Sequence, residues 1–208
     1  MVFDLDGTLT DSIPSALEAI QAMVKELGLP ARTKEELNPH VGFGEIALVA
    51  GAIGSTEPKL VEKAREIYYR HYNARGLKTI PLYPHVKEVL EHFKDKTKII
   101  VSNKRDEFIL TILDNHNIAG YFEEILGGDT APCLKPDPCA IEVLLEKYQV
   151  TKNRAIVIGD MTVDIETGRN AGVHTCGVTY GFDGREKLAA VKPDFLIDDL
   201  LELKSLIL

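Results

Sequence analysis

The chain has 208 residues, with 24 Lys and Arg against 32 Asp and Glu (formal net charge −8), 45% hydrophobic and 27% charged residues. Those values belong to a folded globular protein with room for one substantial core plus a small second module, and they exclude a disordered chain. The acidic balance and scattered cations exclude a nucleic-acid or anionic-membrane surface; no apolar segment approaches the ~20 residues of a membrane span and no leader pattern opens the chain, so a cytoplasmic location is expected.

The opening residues Met1-Val2-Phe3-Asp4-Leu5-Asp6-Gly7-Thr8 read as a strand that delivers two carboxylates. On extended backbone, positions i and i+2 share a face, so Asp4 and Asp6 are expected to project together while Leu5 turns inward. Gly7 supplies a sharp exit, and Thr8 is expected to satisfy backbone groups in the turn that follows. Neighbouring carboxylates repel unless a cation stands between them, which makes a hard metal ion the first expectation and acid/base work the second. A lone Asp-x-Asp-Gly also fits a surface turn or a calcium-loop fragment, but the apolar run ahead of it argues against that. Asp4 lies so near the start that the first strand is either very short or lacks a few preceding residues.

Ser12-Ile13-Pro14 then opens a helix with Ile13, Leu17, Ile20, Val24 and Leu27 on one face, punctuated by Gly28. Thr33-Lys34-Glu35-Glu36 is a capping box for a second, short helix. The tight loop Val41-Gly42-Phe43-Gly44 precedes the apolar run from Ile46 to Ala52. Thr56 is expected to cap a long amphipathic helix bearing Leu60, Val61, Ala64, Ile67, Tyr68 and His71, which ends near Gly76. No strand pattern occurs between Asp11 and Leu82, so residues 12–82 form an inserted helical module between core segments 1–11 and 83–208.

Beyond it, strands and helices alternate, the pattern of a parallel α/β sheet. A helix from Pro84, with Val86, Val89, Leu90 and Phe93, leads to the strand Lys98–Val101 and then Ser102-Asn103. A helix with Phe108, Ile109, Ile112 and Leu113 leads to Glu124-Ile125-Leu126 and then Gly127-Gly128-Asp129. Lys135-Pro136-Asp137-Pro138 precedes a helix with Ile141, Leu144, Leu145 and Tyr148. The aliphatic strand Ala155–Ile158 ends at Gly159-Asp160, a helix runs through Ile165 to Gly172, and strands near Thr175–Val178 and Phe195–Ile197 close the sheet. Continuous aliphatic runs mark central strands buried on both faces.

Ligands of open parallel sheets bind beyond the carboxyl ends of the strands. That edge collects Asp4, Asp6, Ser102, Asn103, Lys135, Asp160 and Asp164. Four carboxylates against one lysine call for a divalent hard cation, and an oxygen-only set with retained waters favours Mg²⁺. Mg²⁺ and Lys135 would attract an anionic substrate, and Ser102 would donate to the same oxygens.

In this order, Asp4-Leu5-Asp6-Gly7-Thr8, the strand-ending Ser102-Asn103, Lys135-Pro136 and Gly159-Asp160-Met161-Thr162-Val163-Asp164 resemble the four motifs of the haloacid dehalogenase superfamily. The helical insertion after the first motif resembles a C1-type cap. The resemblance implies a Rossmann-like α/β core with an all-helical cap. It implies that Asp4 is the nucleophile forming an aspartyl-phosphate, and that Asp6 is the general acid and then the general base. It implies further that Ser102 binds the phosphoryl oxygens and Lys135 neutralises them, and that Mg²⁺ is held by Asp4, the Asp6 carbonyl and Asp160. Asp164 would support the metal through water or orient Lys135. Dehalogenases of this superfamily lack a carboxylate at the position of Asp6, so its presence points to phosphoryl transfer on a small-molecule phosphate ester.

Ser102-Asn103-Lys104, Gly127-Gly128-Asp129 and Gly42-Phe43-Gly44 look like phosphoglycolate phosphatases and their relatives, with Asn103, Thr8 and Gly42 joining Ser102 and Lys135 as substrate contacts. Hydrolysis of pyrophosphate or a sugar phosphate, phosphosugar mutase chemistry, and a non-catalytic phosphate-binding protein are the other readings. A leaving group such as glycolate wants a donor, for which Arg32, Lys34 and Lys104 are candidates, although a solvated surface role is expected for each. The three cysteines, Cys133, Cys139 and Cys176, are expected as free or buried thiols, not a disulfide framework. The six histidines are expected in scaffold roles, and the protein as a monomer or homodimer.

Overall fold

The computed structural model describes residues 1–77 and 79–207, the side chains of residues 75 and 76 excepted. Along the chain run β1 (Val2–Phe3), α1 (Ile13–Glu26), α2 (Lys34–Leu37), α3 (Glu45–Ile53), α4 (Pro58–His71), α5 (Val86–His92), β2 (Ile99–Val101), α6 (Asp106–Asn115) and β3 (Glu124–Leu126). These are followed by α7 (Cys139–Lys147), β4 (Ile156–Gly159), α8 (Thr162–Ala171), β5 (His174–Val178), α9 (Gly184–Ala190), β6 (Phe195–Ile197) and α10 (Leu203–Leu206). The chain divides into an α/β unit, Met1–Asp11 with Pro81–Leu208, and a helical unit, Ser12–Ile80.

In the α/β unit the described strands form one sheet in the order β3-β2-β1-β4-β5-β6, parallel throughout. β1 is only two residues long, yet it lies at the centre, with Phe3 opposite Ile100 on one side and Ile158 on the other. Those three side chains have no exposed surface, as expected of strands covered on both faces. One covering layer is α7, whose Ala140, Ile141 and Leu144 pack with Val2, Ile99, Val101 and Val157. Because every strand runs the same way, Asp4, Ser102 and Asp160 emerge from β1, β2 and β4 at the same edge.

The insertion leaves and returns through paired backbone. Asp11 N–H donates to the Pro81 carbonyl at 3.0 Å, Tyr83 N–H donates to the Leu9 carbonyl at 3.0 Å, and Thr10 bridges Leu82 in antiparallel sense. These bonds hold Pro81 and Leu82 in the α/β unit, so the boundary falls before Pro81 and not after Leu82.

In the helical unit α1 buries Ala19, Ile20, Met23 and Val24, α3 buries Leu48, Val49, Ala52 and Ile53, and α4 buries Val61, Ala64, Ile67 and Tyr68. The capping box at Thr33 and Glu36 forms in both directions. Glu57, not Thr56, caps α4, accepting from Lys59 N and Leu60 N. Pro58 takes the first helical position and forces the residue before it out of helical geometry, which hands the cap to Glu57. The α-helix stops at His71, and Tyr72–Gly76 is a wider π turn. In the α/β unit, likewise, Pro84 does not begin α5, because His85 adopts a left-handed conformation (φ 63°) and the helix starts at Val86.

Gly168 shows how closely α8 lies on the sheet: a Cβ there would stand 2.6 Å from Thr175 Cγ2 and 3.2 Å from Val157 Cβ. Alanine is the better helix former by up to about 1 kcal/mol, but overpacking of this kind costs about 1–3 kcal/mol. Gly168→Ala should therefore lower unfolding free energy in urea by about 1–2 kcal/mol; an unchanged or raised midpoint would contradict this packing.

Candidate active site

Asp4 is the first residue beyond β1, and its N–H is tied to the Ile158 carbonyl of β4 at 2.9 Å. Its carboxylate is buried and accepts from the Lys135 ammonium at 2.7 Å through Oδ1. The same ammonium reaches Asp164 Oδ1 at 2.6 Å. Asp164 sits in the first turn of α8, where its Oδ2 accepts from Met161 N–H at 3.0 Å. With one oxygen on Lys135 and the other on the helix start, Asp164 fixes the lysine between two carboxylates.

The Lys135 backbone is fixed as well. Asn103, at the end of β2, accepts from Lys135 N–H at 2.9 Å through Oδ1 and donates to the Lys135 carbonyl at 3.1 Å through Nδ2. An amide side chain carries an acceptor and a donor side by side, so it can satisfy a peptide N–H and C=O together. Asn103 thus clamps the lysine loop. Ser102 is buried beside it, its N–H donating to the Leu126 carbonyl at 3.0 Å.

Asp160 follows β4 and is fully buried. It accepts from the Thr8 hydroxyl at 3.0 Å and from Phe182 N–H at 2.7 Å. Thr8 therefore spends its hydroxyl proton on Asp160, while the backbone of its own turn closes through Thr8 and Leu9 N–H on the Leu5 carbonyl. Gly7, with φ 88°, lies so close that a Cβ would overlap the Asp160 carboxylate.

Asp6 has a different environment. The strand ends at Phe3, so simple alternation does not carry as far as Asp6, which forms an isolated bridge with Thr10. Its carboxylate accepts from the Lys104 ammonium at 3.0 and 3.1 Å. The Lys104 side chain is only 9% exposed, which overturns the expectation of a solvated surface cation. Arg32 is structural within the helical unit, donating to the Ala52 carbonyl at 2.6 Å, and Lys34 is exposed. Gly42 lies in the helical unit.

Electrostatics favours a cation here. Ligand oxygens of Asp4, Asp160 and Asp164 lie within 4.8 Å of one another, all buried, and Lys135 supplies one positive charge against three negative. Burial pushes Asp4 up to about 7, with Asp164 and Asp6 adding to the shift and Lys135 opposing it. Burial also raises Asp160 well above the carboxylate range, reinforced by Asp4 and Asp164. Burial opposes charge on Lys135, but the carboxylates of Asp164 and Asp4 more than offset it and hold its proton. An uncompensated all-oxygen cluster of this kind fits a hard divalent cation.

The lysine loop carries one unforeseen feature. Cys133 and Cys139 are joined in a disulfide across Leu134–Pro138, enclosing Lys135, and Cys176 alone remains a free, buried thiol. The expectation of unpaired thiols fails because the turn at Pro136–Pro138 brings the two Cα atoms to 6.1 Å, within bridging reach. Asn103 as a clamp, the pairing of Lys104 with Asp6 and the loop after β5 also escaped the sequence reading. Only the adjacency of Asn103 and Lys104 to Ser102 offered a signal.

Asp4 provides a test of the electrostatics. Without metal its value of about 7 lies above the ordinary 3.8, so the folded state keeps a proton the unfolded chain has released, and this contribution to stability falls as pH rises from about 4 to about 7. In EDTA, the melting temperature of the wild type minus that of Asp4→Asn should decline across that window. Millimolar Mg²⁺ should remove the decline. A difference that stays flat or rises in EDTA would refute the assignment.

The haloacid dehalogenase-like hydrolase family model matches residues 1–178. A phosphoglycolate phosphatase of Vibrio parahaemolyticus is 38% identical over 216 residues, covering 100% of this chain and 95% of that protein. A phosphoglycolate phosphatase of Vibrio cholerae is 36% identical over 217 residues, covering 100% and 96%. Among solved structures, a protein described as a predicted phosphoglycolate phosphatase from Haemophilus somnus 129PT superposes with a TM-score of 0.91 at 28% identity, over 99% of this chain and 96% of that one. The chain belongs to the haloacid dehalogenase-like hydrolases and, over its whole length, is similar to phosphoric monoester hydrolases of that family.

Proposed function

We propose that the protein is a Mg²⁺-dependent phosphatase that hydrolyses a small phosphate monoester through an aspartyl-phosphate on Asp4, with 2-phosphoglycolate as the substrate favoured. The observation that carries this reading is the buried Lys135 ammonium, 2.7 Å from Asp4 and 2.6 Å from Asp164, beside a separate Asp6–Lys104 pair. One carboxylate is thereby held rigid and dry, as a nucleophile requires. The other is more exposed, within reach of groups that enter from solvent, as a proton carrier requires.

Mg²⁺ would be held by Asp4, the Asp6 carbonyl and Asp160, with Asp164 in support, and would supply positive charge to the transferring phosphoryl group. Lys135 occupies Asp4 Oδ1, which leaves Oδ2 to attack phosphorus. As the Asp4–phosphorus bond forms and the ester bond breaks, Asp6 gives its proton to the departing oxygen. Asp6 then takes a proton from water, whose oxygen attacks the aspartyl-phosphate, releasing inorganic phosphate and restoring Asp4. Ser102 donates a hydrogen bond to the phosphoryl oxygens and Lys135 neutralises them throughout. Asn103 acts by holding the lysine. Because monoester hydrolysis needs enhancements up to ~10²¹, most of the barrier reduction rests on this fixed charge and on splitting the reaction into two displacements.

Specificity is assigned to Lys104. Its ammonium binds both oxygens of the carboxylate that must face the leaving oxygen, so an anionic group on the leaving alcohol falls within its reach. The phosphoglycolate phosphatases of Vibrio, similar over the whole chain, support the same choice.

Asp4→Asn should lower kcat on 2-phosphoglycolate by about 10⁴-fold or more with an unchanged circular dichroism spectrum. Retained turnover would remove Asp4 as nucleophile. Comparison of kcat/KM over 2-phosphoglycolate, pyrophosphate and sugar phosphates, with Mg²⁺ and with EDTA, tests the substrate assignment. Lys104→Met should raise KM for 2-phosphoglycolate by about 10-fold or more, since a hydrogen bond to a charged group is worth about 1.5–3 kcal/mol. KM for p-nitrophenyl phosphate should stay within about 2-fold. Equal changes for both substrates would deny Lys104 a part in recognising the leaving group.

A further inference from the structure

The loop after β5, Thr179-Tyr180-Gly181-Phe182, belongs to none of the motif positions, yet it encloses Asp160. Phe182 N–H donates to Asp160 Oδ2 at 2.7 Å, and Thr8 donates to Oδ1 at 3.0 Å. Two residues before Phe182, the Tyr180 hydroxyl donates to the Thr8 carbonyl at 2.7 Å. The bonds form a ring from Tyr180 to Thr8, from Thr8 to Asp160, and back through Phe182. Gly181 sits inside this ring, where a Cβ would overlap the Asp160 side chain and stand 2.5 Å from the Gly7 carbonyl. No other residue type fits so close to the carboxylate.

Tyr180 is itself held from behind. Its ring centroid lies 4.5 Å from that of Tyr83, whose N–H donates to the Leu9 carbonyl at 3.0 Å. The backbone of residues 8 and 9 is thus gripped twice, at the Thr8 carbonyl by Tyr180 and at the Leu9 carbonyl by Tyr83. Each oxygen of Asp160 receives one donor from this frame. A carboxylate oxygen has two acceptor positions, so each keeps one for a cation.

We propose that Tyr180 is a positioning residue for the cation site, its hydroxyl setting the Thr8 turn so that the Thr8 hydroxyl fixes the rotation of the Asp160 carboxylate. This rests on the reading above that Asp160 ligates a divalent cation. Phenylalanine would keep the tilted ring contact with Tyr83 but lose the bond to Thr8, so the hydroxyl is separable from the packing. Partners of metal ligands that orient them change affinity by about 10–100-fold when removed.

The test is the Kd of Mn²⁺ for the full chain, read by electron paramagnetic resonance of the free ion without turnover, for the wild type, Tyr180→Phe, Thr8→Val, the double variant and Tyr83→Phe. Tyr180→Phe and Thr8→Val should each weaken Mn²⁺ by about 10-fold. The double variant should be little worse than either single one, because both act through one chain of contacts. Tyr83→Phe, which keeps the ring, should match the wild type. A Tyr180→Phe Kd equal to that of the wild type overturns the proposal, as does a melting temperature lowered in EDTA with Mn²⁺ affinity intact. A wild type that binds no Mn²⁺ overturns the cation reading itself. Thr8→Val tests the same carboxylate if Tyr180→Phe does not fold.

Discussion

A buried ammonium between two buried carboxylates is the contact on which the remaining geometry depends. Removing charges from water is costly, and a pair or triad of this kind persists only where each member is held in place. Here the holding is done by different parts of the chain: β1 positions Asp4, α8 positions Asp164, and Asn103 at the end of β2 grips the peptide of Lys135. Three elements distant in sequence must therefore dock before the lysine has anything to neutralise. The parallel sheet makes that possible by ending β1, β2 and β4 at one edge, where α8 begins.

The two carboxylates of the opening motif differ in partner and in exposure, and the proposed mechanism gives them different work on that ground. Asp4 shares a buried lysine with Asp164, while Asp6 pairs with Lys104 nearer to solvent. The covalent link from Cys133 to Cys139 adds restraint to the same loop, so Lys135 is held by hydrogen bonds from one side and by the chain's own ring from the other.

Much of this was legible from residue order. Aliphatic runs ending in Asp4, Ser102 and Asp160 specify buried parallel strands, and the direction of such strands determines which residues meet. The helical insertion was legible from periodicity and from the capping box at Thr33. Details that depend on close approach were not. Lys104 looks like any surface lysine until the fold tucks it under Asp6. Glu57 takes the cap because Pro58 follows it. The pairing of Cys133 with Cys139 depends on how the intervening prolines turn the chain, and spacing alone does not reveal it. Helices α9 and α10 are short segments whose apolar faces lack a sustained period, so packing decides them. Tyr180 carries no chemistry of its own, and its significance lies in where its hydroxyl ends.

The paired crossing at Asp11 and Pro81 has a wider consequence. The chain departs from the sheet and rejoins it through two strand-like segments hydrogen-bonded to each other, so the gap that any intervening sequence must close is one bond wide. Whatever is spliced there can lengthen, shrink or be exchanged without pulling on the strands beneath. The insertion behaves as a cassette that can be exchanged while the sheet and the carboxylate cluster at its edge keep their geometry.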